Sequence, residues 1–121
     1  MDKKELQKIR NENYRYVDPF KSLSGESRHP TVRINTGNTI EHERKKFEIC
    51  YHLTKKGYQY LTECHFKEPY RGIADIFVLD NGRIIEIMIS ETNEYFTKKV
   101  KNYPPLPVIG VRENDDVRDI I

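Results

Sequence analysis

Ile73-Ala74-Asp75-Ile76-Phe77-Val78-Leu79-Asp80-Asn81-Gly82-Arg83-Ile84-Ile85-Glu86-Ile87-Met88-Ile89 sets one carboxylate inside each of two apolar runs that flank an Asn-Gly pair. Runs of this composition read as strands, Ile73 to Leu79 and Arg83 to Ser90, and Asn-Gly readily supplies the positive φ angles of a tight hairpin turn. A two-residue turn pairs Asp80 with Arg83, puts Asp75 opposite Met88 and leaves Glu86 as its diagonal neighbour on the same face. Burying a carboxylate costs on the order of several kcal/mol unless it is paired, protonated or bound to a metal. Converging Asp75 and Glu86 therefore predict a site for a hard divalent cation, Mg²⁺ or Mn²⁺, which prefers oxygen ligands. The plainer alternative is a pair of half-exposed residues on the solvent side of the hairpin.

Outward from the hairpin, Tyr58 to Phe66 reads as a further strand. Residues 39 to 56 read as a helix, capped by Asn38 or Thr39, with Glu41 completing a capping box from Asn38 and Gly57 closing the end. Ile40, Phe47, Cys50 and Leu53 predict its inward stripe, and Glu43 falls on that stripe one turn before Phe47. Downstream, Glu91 to Asn102 suits a helix halted by Pro104 and Pro105. Leu106 to Val111 suits a short buried strand whose pairing Pro107 confines to the later residues. The order is helix, three strands, helix, strand. A crossover from the third strand through a helix to the fourth makes that pair parallel beside an antiparallel hairpin, which predicts an α/β fold with a mixed sheet flanked by helices.

Ahead of this domain, residues 38 to 121, lies a basic front of residues 1 to 37 with eight Lys/Arg against five Asp/Glu. Lys3 to Asn13 is helix-permissive with a narrow Leu6 and Ile9 stripe, offering a docking surface to the domain or to a second copy. Tyr14 to Gly37 is interrupted by prolines, glycines and serines, and Thr31 to Asn35 alternates as a short edge strand. Lys21, Arg28 and Arg33 in the front, with Arg44 and Arg71 in the domain, are the candidate contacts to a nucleic-acid backbone. At 121 residues the chain has room for one core. The chain has no apolar run of about 20 residues for a membrane span and no signal-peptide pattern, so it reads as intracellular and cytoplasmic. Cys50 and Cys64 are too few for a disulfide framework. A zinc site with His52 and His65 fails because the alternate members point to different sides of their elements. His29 and His42 read as surface residues.

Together, Gly37…Glu43-Arg44-x-x-Phe47, Gly57-Tyr58…Glu63, Gly72-Ile73-Ala74-Asp75 and Ile85-Glu86-Ile87-Met88 resemble the PD-(D/E)XK nuclease superfamily, and the helix signature resembles that of archaeal Holliday-junction resolvases. The likeness spans about residues 37 to 111. It implies a restriction endonuclease-like core and a metal-dependent DNA endonuclease. In that reading Asp75 and Glu86 hold Mg²⁺ or Mn²⁺, the Ile87 carbonyl adds a ligand, Glu43 assists the metal or water, and the chain pairs as a homodimer. Ala74 stands in the proline position, a mild departure. Met88 stands where a lysine should position water and stabilise developing charge, which is a serious one. Lys46, one turn beyond Glu43, is the first candidate to replace that lysine. Lys99 is the second, because Lys99-x-x-x-Tyr103 resembles the Gln-x-x-x-Tyr motif of RecB-like relatives. If neither lysine serves, the same resemblance implies a relative that kept the fold and became a DNA-binding or assembly module. The blandest alternative is a protein-interaction domain in which the arm docks a partner.

Overall fold

Around the hairpin the chain orders as helix α1 (Lys3–Tyr14), helix α2 (Ile40–Lys55), strands β1 (Tyr60–His65), β2 (Ile73–Val78) and β3 (Arg83–Ile87), helix α3 (Asn93–Val100) and strand β4 (Val108–Val111). A one-turn 3₁₀ helix, Val117–Asp119, follows. The structure is a computed structural model and describes residues 1 to 22 and 31 to 120. The sheet runs β1-β2-β3-β4, antiparallel across the first two pairs and parallel between β3 and β4. This is the mixed α/β sheet expected from the strand order and the helical crossover.

The hairpin register differs from expectation. Val78, not Asp80, pairs with Arg83, so four residues make the turn. The reason lies in competing partners. Leu79 gives its N–H to the Gln59 carbonyl, and Asp80 is drawn away to accept from Gln59 N and the Arg10 guanidinium. Gly82, at φ +71°, closes the turn onto the Val78 carbonyl. The ladder ends at Ile76 with Ile85, and one step further Asp75 comes opposite Glu86 rather than opposite Met88.

Two apolar clusters sandwich the sheet. Ile49, Cys50 and Leu53 of α2 cover Tyr60, Ile76, Val78, Ile85 and Ile87 on one side. Val17, Leu61, Phe66, Phe77, Ile84 and Tyr103 fill the other. The inward face of α2 is therefore carried by Ile49, Cys50 and Leu53 together with His42, Lys45 and Lys46, while Ile40 and Phe47 face solvent, against the stripe expected from the sequence. Thr39 caps the helix by accepting from His42 N. Residues 31 to 35 form no strand. They follow β1 through side chains instead: the Thr62 hydroxyl donates to the Thr31 carbonyl and accepts from Arg33 N, and the Arg33 guanidinium donates to the Glu63 carbonyl.

Helix α1 buries no side chain of its own. Arg10 ties it down with paired bonds of 3.0 Å to both Asp80 oxygens and a further one to the Gly57 carbonyl, and Asn13 donates to the Leu79 carbonyl at 2.7 Å. The Asp80 side chain is 7% exposed, so removing its cation strands a desolvated charge. Arg10→Ala is expected to lower unfolding free energy by about 1 to 3 kcal/mol and to abolish hydrogen-exchange protection across α1. Retained protection there would show that the helix is held by other contacts.

Candidate functional site

Asp75 and Glu86 are 4% and 1% exposed, and they sit where β2 and β3 cease to pair. The Ile87 amide, which a continuing ladder would bond to β2 backbone, donates instead to Asp75 Oδ2 at 2.8 Å. The same oxygen lies 3.3 Å from His42 Nε2. On the neighbouring strand Glu63 takes a left-handed φ of +48°, a conformation that costs on the order of 1 kcal/mol for a residue with a side chain. Its partner position in the β1–β2 register is Asp75, so the two strands distort together beside the carboxylate.

Glu86 has two side-chain partners on the α3 side. Lys99 Nζ donates to Oε2 at 2.8 Å, and Tyr103 Oη makes a short contact with Oε1 while donating to the Ile73 carbonyl at 2.9 Å. A phenol has one hydrogen. Both Tyr103 contacts are hydrogen bonds only when the Glu86 carboxyl supplies a proton of its own. The electrostatics agree. Burial first, and then the Asp75 charge, push Glu86 up to about 8, against the pull of Lys99 and Tyr103. Burial also presses Asp75 upward, but His42, the Lys99 charge and the Ile87 amide outweigh it and hold Asp75 below the usual carboxylate range. The pair thus consists of an ionised Asp75 and a Glu86 that carries a proton near neutral pH. Gly72, at φ +111°, supports this corner because a Cβ there would overlap the Tyr103 ring.

The two candidate lysines separate on hydrogen count. Lys46 is 1% exposed and gives all three ammonium hydrogens to protein: the Arg33 carbonyl at 2.8 Å, Glu43 at 2.8 Å and Glu63 at 3.2 Å. It has none left for a substrate. Lys99 makes its bond to Glu86 with its side chain 30% exposed, and among the described residues its other two hydrogens have no acceptor. Its charge is held above the ordinary lysine value by Glu86 and Asp75 despite partial burial. Met88 packs beneath Gly110, where a Cβ would meet its sulfur, and lines one shallow hollow with Glu86, Glu91, Tyr95, Phe96 and Lys99. Glu91 Oε2 is buried there with no hydrogen-bond partner among the described residues.

Glu43 does not touch the acid pair directly. It accepts from Asn35 N and Lys46 and lies 3.2 Å from His42 Nδ1, so His42 bridges it to Asp75. This histidine is 6% exposed, against its sequence reading as a surface residue. It stands on the 42, 46, 49, 53 stripe that faces the sheet, a spacing that Ile49 and Leu53 make legible once Ile40 and Phe47 are set outside. Burial draws its imidazole down, but Asp75 and Glu43 raise it above the ordinary value. Of the basic candidates, Lys21, Arg44 and Arg71 are exposed, Arg33 donates to the Ser22 carbonyl, and Arg28 with His29 lies outside the described residues. Cys50 and Cys64 are free, and burial pushes both thiols up to about 12, outside nucleophilic use near neutral pH.

Comparisons with protein-family models, with curated proteins and with solved structures give no match to this chain. Among the described residues no three His, Cys, Asp or Glu side chains are grouped to hold a metal ion. The donor set is two converging carboxylates, which fits a hard cation of the Mg²⁺ type, since such ions commonly take one or two carboxylates and complete their shell with water and phosphate oxygens. Among the described residues no helix is long and apolar enough to cross a membrane.

Glu86 moves from an ordinary 4.5 to about 8, so between those values the folded chain holds a proton that the unfolded chain has released. Its contribution to stability is full below the lower value and is lost as pH rises toward the upper one, at no more than ~1.4 kcal/mol per pH unit. His42, also raised, acts in the same direction above its ordinary 6.5. Urea denaturation is expected to give lower stability at about pH 8 than at about pH 6, with a flatter slope in Glu86→Gln. An unchanged slope in that variant would refute the proton on Glu86.

Proposed function

We propose that this chain is a divalent-metal-dependent nuclease that hydrolyses DNA phosphodiester bonds on a restriction endonuclease-like core. The observation that carries the reading is Lys99, an ammonium with two uncommitted hydrogens on the buried acid pair, beside a strand position held by Met88. Asp75 and Glu86 would hold Mg²⁺ or Mn²⁺, with the Ile87 carbonyl next to them. When bound, the cation supplies Lewis-acid polarisation of a phosphoryl oxygen and a more acidic water. Asp75 is already ionised for that role, whereas Glu86 gives up its proton to take it. Lys99 then turns its remaining hydrogens toward the scissile phosphate, where negative charge develops in the transition state. His42 and Glu43 hold the Asp75 carboxylate in place. Exposed Lys21 and Arg71 contact backbone phosphates, which makes binding salt-dependent. A preference for branched DNA follows from the resolvase resemblance alone.

A second reading has its own observation: both Glu86 oxygens are engaged by protein partners, and Met88 fills the lysine position. That arrangement suits a DNA-binding or assembly module that kept the fold and lost the chemistry. Plasmid and four-way-junction DNA incubated with Mg²⁺ or Mn²⁺ separates the two. Cleavage is expected from the unmodified chain, absent in Glu86→Ala and reduced at least ~100-fold in Lys99→Met. Binding without cleavage under either cation would discard the nuclease in favour of the module.

A further inference from the structure

Helix α2 is apolar on two sides, and among the described residues only one of them is covered. Its inner side packs on the sheet through Ile49, Cys50 and Leu53. On its outer side Ile40, Phe47 and Tyr51 are 66%, 60% and 55% exposed, and the neighbouring Ile34 is 75% exposed. Ile40, Arg44, Phe47 and Tyr51 recur at intervals of four, three and four residues, which keeps them on one stripe of a helix. Phe47 stands between two grooves. One of about 430 Å³ is lined by Ile34, Ile40 and Glu43, and the other, of about 390 Å³, by Val32, Tyr51 and Thr54. The Phe47 and Tyr51 rings lie 6.4 Å apart, so the apolar surface is continuous along the helix. A stripe of this kind on a surface helix marks an interface.

We propose that this face docks a second copy of the same chain, with the two α2 helices antiparallel about a two-fold axis at Phe47. The charge pattern selects both occupant and orientation. Exposed Glu41 stands near the start of the helix and exposed Lys55 at its end, on the same flank. An antiparallel two-fold arrangement brings each Glu41 beside the other copy's Lys55, twice over, and each Arg44 beside the other copy's Tyr51 ring. A parallel two-fold pair would carry this flank to the opposite side of the seam and leave both Glu41–Lys55 pairings unmade. Glu48, near the axis, already has Lys45 of its own chain at 3.7 Å, which offsets the meeting of two Glu48 residues. The grooves obey the same symmetry. Rotation about Phe47 carries Ile40 of one copy to the Val32 and Thr54 groove of the other, and Tyr51 to the Ile34 and Glu43 groove. Arg44 thereby serves the interface rather than DNA. None of this depends on the nuclease reading.

Sedimentation velocity of the full chain across the micromolar range tests it. A reversible monomer–dimer equilibrium is expected, with Phe47→Glu raising the dissociation constant at least about tenfold. Glu41→Lys and Lys55→Glu each weaken the dimer, and the double reversal restores it, because it rebuilds both ion pairs with opposite polarity. All these side chains are exposed, so circular dichroism should not change, nor should melting at concentrations where the unmodified chain is monomeric. A monomer at every concentration, a dimer indifferent to Phe47→Glu, or a double reversal no better than the singles would overturn the proposal. A chain that stays monomeric but loses DNA binding in Phe47→Glu would assign the face to nucleic acid instead.

Discussion

The site depends on one hydrogen bond, from the Ile87 amide to Asp75 Oδ2. In an uninterrupted hairpin that amide would bond to backbone, and the facing strands would continue side by side. With the side chain in its place the ladder stops, yet the Ile87 amide keeps a partner. The carboxylate gains a donor that joins His42 and the Lys99 charge in keeping it ionised in the interior, and Glu86 arrives directly across from it. Two buried acids at that separation share a fixed supply of positive charge, so one of them retains its proton.

The remaining charges are arranged around this constraint. On the α2 side, His42 lies between Asp75 and Glu43, while Lys46 joins Glu43 to Glu63 and to the Arg33 carbonyl of the front segment. On the α3 side, Lys99 and Tyr103 hold Glu86. The two networks meet at the acid pair and are built differently. Every hydrogen of Lys46 is bound within the protein, which suits scaffolding, whereas Lys99 is half-committed and reaches the surface, which suits chemistry on something that enters from outside.

The hairpin, the parallel crossover and the two central acids were legible because each rests on a local signal: alternating apolar runs, Asn-Gly, a helix stopped by two prolines. The register was not, since it is decided by Gln59 and Arg10, residues far along the chain that capture Leu79 and Asp80. Reading α2 inside out had a similar origin. Ile40 and Phe47 are the natural core candidates by hydrophobicity, but the acids require His42 and Lys46 on the inner side, and the helix turns accordingly. Lys99 with Tyr103 was visible only through its resemblance to the Gln-x-x-x-Tyr motif. The preference between Lys46 and Lys99 was not, because it rests on how many hydrogens each has already given away.

Gly110 and Met88 bear on how such a site changes by substitution. The methionine lies under the glycine and lines the same hollow as Lys99 and Glu86. Installing a lysine at position 88 with Lys99 in place would crowd two ammonium groups around a single carboxylate, each depressing the other's affinity for its proton. Removing Lys99 first would leave Glu86 with only a neutral phenol. On the proposed reading, the strand and helix positions are therefore alternatives for one lysine, because a second ammonium at this corner is opposed by the charge of the first.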